Sequence, residues 1–218
     1  MTEADAREMV ATIANTYDGI VEGSKYHKEI LNYYNSIAPL PVGYKAKISD
    51  PWCAIFVSAM FWVTYGNTLR FPYECSCDRM RALATMLGMW IEDDGYMPKV
   101  GDCVLYDWQD NGVGDNKGYP DHVGIVDEVY YDAFRVIEGN CNDKVMHRAL
   151  HKNNKYIRGF ITPDYSALVD SSEKKEDELS DAQKWFLNFG IPCDGRWNDR
   201  VEITYAELAE MLYQMTHS

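Results

Sequence analysis

Apolar residues recur at helical spacing over residues 2–16, where Ala, Met, Val and Ile alternate with polar positions. Thr2 and Asp5 stand close to a capping-box spacing at its start. Gly19 and Gly23 break the pattern. A second helix is predicted over about 24–37, with Ile30, Leu31 and Tyr34 on one face. Residues 38–50 (APLPVGYKAKISD) hold two prolines and a glycine and read as a loop. The run DPWCAIFVSAMFWVTYG follows. Asp50 suits an N-cap and Pro51 a first helical position, which makes Cys53 about the third residue of the helix. This helix is apolar almost all round, so it is predicted to be central and buried, ending at Gly66. A further helix is predicted over 78–90.

After Gly95 the period shortens to two. Residues 103–108, 122–131, 133–139, 144–150 and 156–161 read as strands joined by short turns. Helices first and antiparallel strands second imply an α+β fold. The strands 122–131 and 133–139 form a hairpin turning near Asp132, in which residue i faces about 262 minus i. His122 then lies opposite Asn140, and Glu138 falls on the same face one diagonal step away. Residues 1–165 make up the main domain in this reading. Residues 166–180 (SALVDSSEKKEDELS) form a charged linker, and 181–218 a small helical unit around GIPCDGRWND.

Composition narrows the function classes. With 46% apolar and 13% aromatic residues, the chain has material for a real core. Its net charge is −13, and the last quarter of its length holds nearly half of that excess. Phosphate backbones repel such a surface, so nucleic acid is a poor partner. No apolar run reaches the roughly 20 residues that span a membrane. The opening MTEADAREMV lacks the basic-then-apolar pattern of a secretion signal. Cysteines at 53, 75, 77, 103, 141 and 193 show no paired framework. Both facts lead us to expect synthesis in a reducing cytoplasm with free thiols.

The sharpest chemical feature is Cys53. Near a helix start, unpaired N–H groups and the helix dipole favour thiolate over thiol, and the thiolate is the nucleophile. The bland reading is a small buried hydrophobe. A nucleophilic cysteine needs a base, and His122 opens a strand, where a side chain is exposed yet rigidly held. The base needs an orienting partner, for which Glu138 and Asn140 both stand in place.

The combination D-P-W-C-A-x-F-V-S, then Gly101-Asp102 leading a strand, then Asp121-His122-Val123-Gly124-Ile125-Val126, then Ile137-Glu138-Gly139-Asn140, resembles CHAP domains (cysteine, histidine-dependent amidohydrolase/peptidase). The resemblance covers about residues 24–163. It implies a papain-like architecture, a helix-borne cysteine packed on an antiparallel sheet. By position it implies Cys53 and His122 as the catalytic pair, completed or oriented by Glu138 and Asn140. The implied chemistry is amide hydrolysis in peptidoglycan, as N-acetylmuramoyl-L-alanine amidase or endopeptidase. Trp52 and Trp108 are candidates to line the substrate cleft, Trp52 being equally suited to the core.

No cofactor or metal is expected. The loop 110–118 is acidic and Gly-rich but lacks the ligand spacing of a calcium hand. Cys75 and Cys77 with His147 and His151 do not fit zinc spacing, and the two histidines read as a solvent face. Cys103 and Cys141 stand beside site segments without belonging to the motif. The C-terminal run resembles one S-layer-homology unit, a feature of some wall enzymes. The alternative for it is a helical hairpin serving self-association. The functional expectation is a phage or prophage endolysin-like hydrolase that acts on the wall after release. The alternatives are a non-catalytic wall-binding module and an intracellular cysteine peptidase on the same scaffold.

Overall fold

The computed structural model describes residues 1–110 and 118–169. Of the charged linker expected over 166–180, residues 166–169 are helical and the rest lie outside the described residues, as do the S-layer-like unit expected at 181–218 and most of the loop 110–118. Ala4–Tyr165 form one compact unit. Its elements run α1 (Glu3–Asn15), α2 (Lys25–Asn35), a 3₁₀ turn (Pro41–Gly43), α3 (Cys53–Tyr65), α4 (Cys77–Met86), then β1 (Trp90–Ile91), β2 (Cys103–Tyr106), β3 (His122–Val129), β4 (Ala133–Glu138), β5 (Met146–His151) and β6 (Ile157–Ile161). All six strands belong to one antiparallel sheet, in the order β1-β6-β2-β3-β4-β5. The α+β, papain-like fold class expected from the sequence is what the structure has.

Local chemistry sets the helix ends. Ser24 caps α2, its hydroxyl accepting from the His27 N–H at 3.1 Å. The start of α3 differs from expectation. The Asp50 carboxylate accepts from the Lys47 N–H at 2.8 Å and from the Tyr44 hydroxyl at 2.9 Å. It therefore closes the preceding loop instead of capping the helix. Trp52 takes the N-cap position, and Cys53 is the first helical residue, not the third. From Cys53 to Phe61 every residue of α3 is buried, as its all-round apolar pattern requires.

The predicted 78–90 helix stops at Met86. Gly88, at φ 71°, turns the chain there, and Trp90–Ile91 join the sheet edge as β1 beside β6. On the sheet, Val104, Tyr106, Val126, Phe134, Val136, Leu150, Ile157 and Phe160 form one apolar cluster. Helix α3 packs on β3 and β4. Gly139 permits the approach, because a side-chain carbon there would lie 2.4 Å from Phe56 Cβ. Ahead of β2, the buried Asp102 carboxylate accepts from Arg7 Nη1 (2.8 Å), the Tyr96 hydroxyl (3.0 Å) and the Lys99 N–H (2.9 Å). Burial raises its pKa and these donors oppose that rise. The Gly101-Asp102 pair thus anchors α1 to the root of the sheet.

The β3–β4 register has the form read from the sequence at its site end. Ile125 pairs with Ile137 and Val126 with Val136. A bulge near Asp127 then shifts the remaining pairs by one, to Glu128 with Arg135 and Val129 with Phe134.

Candidate active site

Cys53 begins α3 and His122 begins β3, so a helix start and a strand start deliver the two side chains. The His122 Nε2 lies 3.1 Å from Glu138 Oε2, at the end of β4. That leaves Nδ1 for the thiol. Cys53 and His122 lie near enough that each favours the ionised form of the other. The Cys53 pKa is lowered well below the ordinary thiol value. The largest cause is a hydrogen bond from the neighbouring Cys77 thiol, joined by His122 and the Ala54 N–H, against burial. His122 is pushed up to about 9: burial pulls its pKa down but is outweighed by Cys53 and Glu138. Burial likewise opposes the charge on Glu138, yet bonds from His122 and Arg148 hold its carboxyl down at about 2. The contacts among the three groups thus favour thiolate on Cys53, imidazolium on His122 and carboxylate on Glu138.

Arg148, which the sequence reading gave no role, completes this chain. Its Nε donates to Glu138 Oε1 at 2.8 Å and its Nη2 to Oε2 at 3.0 Å. Its guanidinium also lies over the rings of Trp108 (5.0 Å) and Tyr106 (5.7 Å). A fully buried carboxylate demands a cation, and Glu138 is fully buried. That demand was the available signal. What the sequence lacked was the β4–β5 register, which pairs Val136 with Arg148 and depends on an irregular turn. Asn140, Asn142 and Asp143 take left-handed conformations in that turn.

The candidate residues sort as follows. Cys53, His122 and Glu138 come together. Asn140 lines the cleft beside His122, and it is the Glu138 carboxylate that meets Nε2. Trp108, 37% exposed, also lines this open cleft of about 370 Å³, with Cys141, Asn142 and Arg148. Trp52 is not a cleft residue. It is fully buried, donates from Nε1 to Glu22 Oε2 at 3.0 Å, and packs on His27 and Phe56. A large ring directly before Cys53 serves to fix the helix start.

His147 also departs from its expected solvent position. Its Nε2 lies 2.7 Å from Asn15 Oδ1 and 3.1 Å from Asp127 Oδ2, tying α1 to the sheet. His151 is 74% exposed. Cys103 is fully buried in β2, where burial raises its thiol pKa well above the usual value. Among the described residues, no group of three or more His, Cys, Asp or Glu is arranged to hold a metal ion, and no helix is long and apolar enough to cross a membrane.

No curated protein and no solved structure matches the chain. A family model does: that of the CHAP domain matches residues 44–140. The span takes in Cys53, Cys77, Trp108, His122, Glu138 and Asn140 and stops short of Arg148. Such domains are typically cysteine- and histidine-dependent amidohydrolases or peptidases, and their general substrate is peptidoglycan. With that match lying on this helix and this sheet, the chain contains a CHAP domain.

Proposed function

We propose that this protein hydrolyses an amide bond of bacterial peptidoglycan with Cys53 as nucleophile, as an N-acetylmuramoyl-L-alanine amidase or an endopeptidase. The observation that carries the reading is His122 held by Glu138 at 3.1 Å while coupled to a Cys53 whose thiolate is favoured. The Cys53 thiolate attacks the carbonyl carbon, forming a C–S bond and placing charge on the oxygen. The Cys53 backbone N–H, which has no partner within its own helix, stabilises that oxyanion. The tetrahedral intermediate collapses as the C–N bond breaks, and the imidazolium of His122 gives its proton to the leaving amine. Neutral His122 then takes a proton from water, whose oxygen attacks the thioester. Thiolate leaves, and the acid product and the starting charge state are restored. Glu138 acts by orienting the ring. Trp108 offers a face on which a sugar or peptide packs.

The biological role we assign is wall lysis after release from the cytoplasm, as for phage or prophage endolysins. The support for it is the likeness of the Cys53, His122 and Glu138 segments to that family. Digestion of purified Gram-positive peptidoglycan by the wild type and by Cys53→Ala, read by mass spectrometry, tests the proposal. Cleavage by the wild type alone supports it, and the fragment masses name the bond. If wall from every species tested stays intact, the substrate assignment falls and a protein-directed peptidase takes its place.

A further inference from the structure

A second sulfur sits against the nucleophile. Cys53 Sγ and Cys77 Sγ are 3.6 Å apart; both are reduced and buried. Each is the first residue of its helix, Cys53 of α3 and Cys77 of α4. Two helix N-termini thus meet at one sulfur pair, and both dipoles favour negative charge there. Of the two, Cys77 is the one whose thiol form is favoured. Its thiol pKa is raised well above the usual value, first by its bond to Cys53 and then by burial. None of the hydrolytic steps above uses Cys77. A thiolate with a neutral thiol in contact is the arrangement from which disulfides form, once the sulfurs close to about 2.05 Å.

We propose that Cys53 and Cys77 form a thiol-oxidation site, at which a hydroperoxide oxidises Cys53 and Cys77 resolves the product to a reversible disulfide. With hydrogen peroxide, the Cys53 thiolate attacks one peroxide oxygen. An S–O bond forms, the O–O bond breaks, and hydroxide leaves. Sulfur loses two electrons and the peroxide gains them, giving a sulfenic acid. Cys77 then loses its proton and attacks the Cys53 sulfur. The S–S bond forms, the S–O bond breaks, and the departing hydroxide takes up a proton as water. In sum, two thiols and one peroxide give one disulfide and two waters. A dithiol reverses the step by exchange. While the disulfide stands, Cys53 has no thiolate and hydrolysis stops. The inference rests on the proposed function only in taking Cys53 as the nucleophile.

The test uses the full chain, reduced and then freed of reductant, and titrated with hydrogen peroxide. Free thiols are alkylated and peptides mapped by mass without reduction. Wall digestion is followed in parallel, before and after dithiothreitol. We expect a Cys53–Cys77 cross-linked peptide to rise as cleavage is lost, with both changes reversed by dithiothreitol. In Cys77→Ser, and in Cys77→Ala as a second variant, Cys53 should run on to sulfinic or sulfonic acid, and dithiothreitol should restore nothing. The wild-type mass map does not depend on either variant folding. A wild type that over-oxidises at Cys53 without a cross-link, or that links Cys53 to Cys75 or Cys141, overturns the proposal. Cleavage of wall by the reduced protein with no cross-link on oxidation sinks the thiol pair alone. A cross-link in a protein that cuts no wall sinks the hydrolase reading and leaves the pair standing.

Discussion

Glu138 reaches His122 across the space left by Gly124. Continued by one pair, the β3–β4 register sets Glu138 opposite Gly124, with His122 two residues along on the same face. A side-chain carbon at 124 would lie 2.7 Å from Glu138 Cγ and 2.5 Å from Val136 Cγ1. The 3.1 Å contact between imidazole and carboxylate therefore depends on a glycine that touches neither reacting atom.

Gly124→Ala should accordingly damage both fold and site. Overpacking of this kind costs about 1–3 kcal/mol. A displaced Glu138 should lower kcat by about tenfold or more, as expected when an orienting group is lost. Urea unfolding and steady-state wall digestion measure the two effects. An alanine variant with full activity would mean that Glu138 does not need its observed position.

The proposed hydrolysis needs a Cys53 thiolate and a protonated His122, so its rate should follow a bell in pH. The acid limb reports protonation of the pair, well below the ordinary range of a thiol. The alkaline limb falls through about pH 9, where His122 loses its proton. In Glu138→Gln the carboxylate charge that favours imidazolium is gone, so the alkaline limb should move down. An unmoved limb in that variant would remove Glu138 from the proton chemistry.

Arg148 gives a prediction of opposite sign. In Arg148→Ala, Glu138 loses two charge-assisted bonds and its neutralising cation. The rate should fall by about tenfold through lost orientation. The less neutralised carboxylate should pull harder on His122, so the alkaline limb should move up. Arg148→Lys returns the charge without the fork, so its limb should lie near that of the wild type and its rate between the other two. Equal rates for all three proteins would leave Arg148 a packing residue only.

The two tryptophans should differ in what their loss does to substrate binding. Trp52→Phe removes a buried ring edge and the bond to Glu22, and should destabilise by about 2 kcal/mol or more. Trp108→Ala should raise KM for wall fragments several-fold, and should also lower the unfolding midpoint, since the ring stacks on Tyr106 and packs on Tyr156. A Trp108→Ala protein with unaltered KM would place substrate elsewhere.

Much of this arrangement is legible in the sequence because period and pairing are local. The apolar run after Asp50 specifies a buried helix. The strands on either side of Asp132 specify a hairpin whose register brings Glu138 to the His122 face. Residues whose position depends on distant geometry are not legible in that way. Asp50 has the residue type of a helix cap, but the Lys47 and Tyr44 donors claim its carboxylate, and the helix start slips to Cys53. Trp52 has the residue type of a cleft platform, but Glu22, from the loop before α2, satisfies its N–H inside the core. Two-residue β1 has too little chain to show a period at all. Arg148 and Cys77 reach the site through a turn of left-handed residues and through a second helix start, neither of which spacing alone can align with His122 or Cys53.

The position of Arg148 has one further consequence. The guanidinium that grips Glu138 also lies over Trp108, the exposed ring of the cleft wall. A ligand that presses on that ring loads the same lever that sets how tightly His122 holds its proton. Occupancy of the cleft should therefore shift the basicity of the imidazole, so an NMR titration of His122 in Cys53→Ala should register a wall fragment bound there.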